Sequence, residues 1–442
     1  MLQTGFISNA HSDLVTDASY DFYGLRLATC SLDQRHSISR IKVWFLDESE
    51  GKWKVEDDWK AHDAAISKVS WAHPEFGTIL ASASFDRTVK VWEQTYTPDA
   101  DAIQINGGAG PSGPSRWVER AVLVDAKGTV RAVEFAPQRV GMKLATISSD
   151  NYLRVYECLE QPSLTTWQLT HEVDVLSLPS TSAPRSLGQT VTQATPTQPS
   201  ATLDGASLSL AAHAVQQQQQ QNQAPSRPGL GHREADGGWC ISWCKDRDWG
   251  EVIATACGIN GLVKIIQLNP ARRPSTLLTL DPSPSNGATN EGNVRGAQTA
   301  TDGDSPAPYA ITSVAWAPSC GRSYQLVATG GRDGNVRIWR IYPPRPSPLL
   351  QPTVATELQA QLEGAGNDEW SATIVGEFDD HKSAIGRVEW NITGTVLSSA
   401  GNDGRIRLWK MTAGSVWRPA GHISVEQAEE QADVDMDNAA DD

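Results

Sequence analysis

The amino-acid sequence predicts an all-β fold, a WD-repeat β-propeller of six blades, on three observations. Sixteen tryptophans stand against seven Phe and eight Tyr, an imbalance that arises when a repeated unit places a Trp at the same point each time. Six segments share one pattern: a small-residue apolar run, a polar turn, and an alternating strand with an aromatic or apolar close. Alternation of period two, broken by Gly, Asn and Asp, marks strands joined by tight turns.

The units read, in order, LATCSLDQRHSISRIKVW (27–44), LASASFDRTVKVW (80–92), LATISSDNYLRVY (144–156), IATACGINGLVKII (253–266), LVATGGRDGNVRIW (326–339) and LSSAGNDGRIRLW (397–409). Six positions separate Asp86 from Trp92, Asp150 from Tyr156, Asn260 from Ile266, Asp333 from Trp339 and Asp403 from Trp409; only Asp33 to Trp44 is longer, by five. Upstream of each turn lies an inner strand with an aromatic residue: Ala18-Ser-Tyr20, Val69-Ser-Trp71, Val133-Glu-Phe135, Ile241-Ser-Trp243, Val314-Ala-Trp316 and Val388-Glu-Trp390. A His precedes several of these, at His11, His62, His171 and His381. An ionised turn Asp can accept bonds from turn amides and from a His one strand away, so these repeated His, Asp and Trp residues are expected to be scaffold.

Candidate outer strands precede each His position, at 5–9, 52–59, 116–124, 165–170, 275–280 and 373–378, with a seventh at 415–420. Seven outer strands for six inner triplets predict an open ring whose edge is left for another chain to complete. The expected accepting residues are Phe6 and Ile7 in the first outer strand, Leu14, Val15 and Tyr20 in the first blade, and Val388 and Trp390 in the last.

Four stretches, about 97–115, 179–236, 281–307 and 343–368, are rich in Pro, Gly, Ser, Thr and Gln and are expected to be disordered insertions. One propeller over 1–425, enlarged by loops, therefore accounts for 442 residues, and 426–442 is an acidic, disordered tail. Eight carboxylates and no Lys or Arg follow His422, so more than half of the net charge of −15 sits there. That charge argues against direct nucleic-acid binding, which gains affinity by neutralising phosphates. Six cysteines in so long a chain form no disulfide framework and point to an intracellular protein. No stretch approaches a membrane span and no signal sequence opens the chain, so direct membrane insertion is not expected.

No G-x-S-x-G, H-E-x-x-H, P-loop or C-x-x-C motif is present, and Cys240 and Cys244 have no matching His pair, so no catalytic residue, metal or cofactor is expected. A peptide or phosphopeptide reader is a further possibility, through Arg87, Arg332 and Arg405 beside the turns.

The stretches 71–93 and 390–410, with 22–34 and 133–157, resemble the SEH-type nucleoporin family, WD-repeat proteins related to the Sec-thirteen protein of the COPII coat. His73, Pro74, Glu75, Phe76, Asn391 and Thr393, which are not propeller positions, carry the specificity, and 85–88 and 391–395 favour the SEH type. The resemblance implies an open six-bladed ring completed by a blade from an α-solenoid nucleoporin of the Y-shaped complex. It implies location at the nuclear pore with other Y-complex subunits and roles in mRNA export and protein transport. It also implies membership of the SEA/GATOR nutrient-signalling assembly on the vacuole or lysosome. A coat subunit of the Sec-thirteen type is the alternative. The Gln-containing insertion, the closing Ile266 and the acidic tail depart from the family.

Overall fold

A computed structural model describes residues 7, 10–32, 39–96, 115–161, 163–179, 236–246, 248–269, 272–282, 309–344 and 370–424. Every described strand lies in the unit formed by 1–182 and 236–442; a second unit, 183–235, lies outside the described residues. The four insertions and the acidic tail fall almost wholly outside them as well.

Six antiparallel sheets of four strands each follow one another along the chain. Sheet 1 is β1 (Val15–Tyr20), β2 (Arg26–Ser31), β3 (Ser39–Asp47) and β4 (Lys52–His62). Sheet 2 is β5 (Ile66–Trp71), β6 (Ile79–Ser84), β7 (Val89–Tyr96) and β8 (Ser115–Leu123). Sheet 3 is β9 (Val130–Phe135), β10 (Lys143–Ser148), β11 (Tyr152–Cys158) and β12 (Trp167–Asp174). Sheet 4 is β13 (Gly238–Trp243), β14 (Val252–Gly258), β15 (Val263–Asn269) and β16 (Arg272–Leu280). Sheet 5 is β17 (Ile311–Trp316), β18 (Gln325–Gly331), β19 (Val336–Tyr342) and β20 (Ser371–Phe378). Sheet 6 is β21 (Ile385–Trp390), β22 (Val396–Gly401), β23 (Arg405–Met411) and β24 (Trp417–Ser424).

Each sheet thus runs from its innermost to its outermost strand, which corrects the expected order. The outer strand follows its triplet, and 415–420 belongs to β24, which completes sheet 6 from its own chain. The expected strand at 5–9 lies outside the described residues except for Ile7, which is half-buried and in no strand.

Second strands are the core of the interior sheets: β6, β10 and β18 are buried along their whole length and β14 in all but its last residue. Their small residues allow both faces to be covered closely. Neighbouring sheets are tied at the channel by one recurrent bond, in which a side chain of one innermost strand accepts an N–H of the next. Val69 donates to Asp17 (3.0 Å), Phe135 to Ser70 (3.1 Å), Trp243 to Glu134 (3.0 Å), Trp316 to Ser242 (3.0 Å) and Val388 to Ser313 (3.1 Å). Indoles donate in the same direction: Trp71 Nε1 donates to the Ser19 carbonyl, Trp243 to that of Glu134 and Trp390 to that of Ala315.

The repeated polar residues form the expected clamps at the turns of sheets 2 and 6. His62, the last residue of β4 in sheet 1, joins Asp86 (2.8 Å) to the Ser82 hydroxyl (2.7 Å), to which Trp92 Nε1 also donates (2.9 Å). His381, Asp403, Ser399 and Trp409 repeat this arrangement. In sheet 1, His11 and Trp44 both bond Thr29, while Asp33 lies outside the described residues. Sheets 3 and 4 depart from the expectation. His171, the His before the fourth unit, sits in the middle of β12 opposite Val155 rather than at the strand end that His62 occupies in β4. In sheet 3, whose inner strand no His precedes, the fully buried Arg154 bonds Asp150 (2.9 Å) and Ser148 (2.8 Å), and Tyr156 stands where other units close with Trp. In sheet 5, Arg337 holds Asp333 (2.8 Å) and Trp339 bonds Thr329 (3.1 Å).

Candidate partner-binding surface

Innermost strands pack side by side from β1 to β5, β9, β13, β17 and β21, but no comparable packing joins β21 back to β1 among the described residues. The ring has a seam there. An ion pair spans it at the channel, from Arg387 on β21 to Asp17 on β1, and Lys68 holds the same carboxylate from the other side (3.0 Å). Asp17 is only 4% exposed, so two cations and the Val69 amide stabilise a charge that burial alone would disfavour.

Of the sheets beside the seam, sheet 6 has one covered and one open face, whereas sheet 1 is exposed on its second face only towards Tyr20 and Val55, β2 being buried in all but its first residue. In sheet 1, Ala28, Cys30, Ile41 and Val43 pack with Ile66, Val69, Leu80 and Trp92 of sheet 2. Register puts Tyr20, Leu27, Trp44 and Val55 in a row on the other face. Tyr20 is 58% exposed and Val55 50%, while Leu27 and Trp44 are buried near the entering chain, where His11 bonds Thr29 and Lys42 bonds the Ala10 carbonyl. In sheet 6, Ile385, Val388, Leu397 and Trp409 pack with Leu326, Ala328, Val336 and Ile338 of sheet 5. The opposite face carries the rows Arg387, Ala400, Ile406, Ile423 and Glu389, Ser398, Leu408, Gly421, with Ile406 exposed. Burial alternates over the first four residues of β22, unlike the interior second strands.

Leu14, Val15 and Tyr20 are exposed, on or next to β1 at the seam. Val388 and Trp390 point the other way. Val388 is buried against sheet 5, and Trp390 donates to Ala315 of sheet 5 and packs edge-on against Trp417. Phe6 lies outside the described residues. Asp17, Glu389 and Ile406 also lie at the seam and were not among the expected residues; the inner-strand alignment places Glu389 level with Glu134 and Ser70.

Arg87, Arg332 and Arg405 are exposed at the turns between second and third strands, all at one end of the ring. No group of His, Cys, Asp and Glu suited to a metal occurs among the described residues. Burial pushes Cys30, Cys240, Cys244 and Cys257 up to about 12, so these thiols pack as small apolar groups.

The WD domain, G-beta repeat family matches residues 53–93, 303–340 and 372–410. Nucleoporin SEH1 of Saccharomyces cerevisiae is 32% identical over 95% of this chain and 99% of its own length. Nucleoporin seh1 of Schizosaccharomyces pombe is 30% identical over 96% and 97%, and human Nucleoporin SEH1 31% over 94% and 86%. Identity of this extent across the whole propeller, together with the six-sheet ring, places the chain in the SEH1 nucleoporin family.

Proposed function

We propose that the chain is a non-catalytic scaffold subunit of the nuclear pore, in which the seam between sheets 1 and 6 receives a blade donated by an α-solenoid nucleoporin. The observation that supports this is the seam itself, where among the described residues β21 does not pack on β1, sheet 6 has an open face and Tyr20 and Val55 of sheet 1 are exposed. A blade lodged between the two sheets contributes two faces of its own. With strands about 4.8 Å apart and about six residues long, each face is roughly 400 Å², so the four contacting faces amount to about 1,600 Å², the size of a standard specific interface. Because sheet 6 is completed by β24, the donated blade packs face to face rather than pairing with an unfilled edge. Such a contact adds its binding energy to the stability of the folded ring.

Location at the nuclear envelope, association with other Y-complex subunits, and a second role in SEA/GATOR at the vacuole or lysosome belong to the same reading and rest on the family resemblance. The double variant Tyr20→Asp with Ile406→Asp places a charge on each side of the seam while leaving the buried faces intact. Co-purification of the solenoid partner is expected to be lost with the melting temperature of the free chain unchanged; retained co-purification contradicts the reading.

A further inference from the structure

The five internal junctions describe what a strand must offer to sit beside another in this ring. In each, the first sheet supplies an acceptor at one of two aligned positions: Ser70, Glu134 and Ser242 at one, Asp17 and Ser313 two residues earlier. Sheet 6 has Arg387 at the earlier position, so its acceptor is Glu389. Glu389 holds no N–H of β1. Its side chain is 59% exposed and paired with Arg387 of its own strand (3.1 Å), and its carbonyl oxygen takes the hydroxyl of Ser398 from within sheet 6 (3.1 Å). Both acceptors that a neighbouring sheet would use are therefore filled from inside the sheet.

One other innermost strand carries Glu at this position, and its partner is visible. Glu134 receives the backbone N–H of Trp243 on its carboxylate, the Trp243 indole on its carbonyl (3.1 Å), and an ion pair from Lys245. The three contacts come from a single Trp-x-Lys stretch that leaves β13. A carboxylate needs such donors more than a hydroxyl does, because closing the junction takes its charge out of water. Across the seam, β1 offers Tyr20 where the other sheets have Trp or Phe, and no cation follows it, since residue 22 is Phe. β1 is thus no match for Glu389.

Resting on the blade-donation reading, we infer that the donated blade's innermost strand carries a tryptophan followed two residues later by lysine, recognised by Glu389 as Glu134 recognises Trp243 and Lys245. Glu389 is then the residue that selects the donor blade and sets its register.

The test is zero-length carbodiimide coupling on the full chain co-expressed with its solenoid partner, which joins a carboxylate to an amine only in direct contact. The expected product is a Glu389–lysine isopeptide whose partner peptide has Trp two residues before the coupled lysine; Glu389→Gln removes it. Glu389→Ala is expected to weaken the partner about tenfold, the effect of one lost charge-assisted bond, with Glu389→Gln between it and the native chain. If Tyr20→Asp with Ile406→Asp abolishes binding but Glu389 couples to no lysine, or to one without that Trp, the inference fails and the blade reading stands. If the double variant binds normally, both fail.

Discussion

Asp403 shows how one carboxylate serves the fold at a repeated turn. Burial raises its pKa, but His381, Arg407 and the Arg405 amide outweigh that and hold it at about 2. The unfolded chain takes up this proton near the ordinary aspartate value of about 4, so between about pH 4 and 2 the unfolded state binds more protons. Stability from this group is full above that window and falls as pH drops through it. Melting temperature followed from pH 5 to 2 is expected to fall less steeply in Asp403→Asn, which begins less stable at pH 5. Cysteine chemistry divides as sharply. Five thiols are buried and Cys320 is exposed, so a native thiol titration is expected to count one reactive group, absent in Cys320→Ser, and six after denaturation.

Among the elements, close approach between sheets sets the strongest constraint. A Cβ on Gly238 of β13 would stand 1.9 Å from the Ile311 carbonyl oxygen of β17, and main chain on main chain cannot swing aside. Gly238→Ala is expected to cost more than 3 kcal/mol, roughly the scale of core overpacking, read as a lowered midpoint in urea. Inner triplets were legible in the sequence because His62, Asp86 and Trp92 recur with their spacing. The grouping of outer strands was not, since a repeat has no phase: 53–93 is one repeat in sequence yet begins in sheet 1 and ends in sheet 2. His171 misled for a related reason, being a residue of the right type three positions too early in β12. The substitute was visible, because a basic residue stands two positions before every closing residue: Lys42, Lys90, Arg154, Lys264, Arg337 and Arg407. Where the His is missing, Arg154 and Arg337 reach the turn Asp. Tryptophans outside the repeat also find a place, Trp249 packing edge-on against both Trp316 and Trp370.

For the whole molecule, the seam is the feature that departs from a closed ring, and it is where the proposed blade would be received. Counting outer strands predicted an unpaired edge, but each of the six described sheets is completed by an outer strand of this chain, and the seam is a missing packing contact between β21 and β1 among the described residues. The proposed accepting surface was legible in part: exposure of Leu14, Val15 and Tyr20 follows from their place at the start of the ring, but which face of sheet 6 is open depends on how it packs on sheet 5. The most direct test is amide hydrogen exchange of the chain alone and with its co-expressed solenoid partner. New protection is expected in peptides covering 14–27 and 396–408, on both sides of the seam, with the turns at Arg87, Arg332 and Arg405 unchanged. Protection confined to those turns, or spread evenly over the six sheets, contradicts a blade received at the seam.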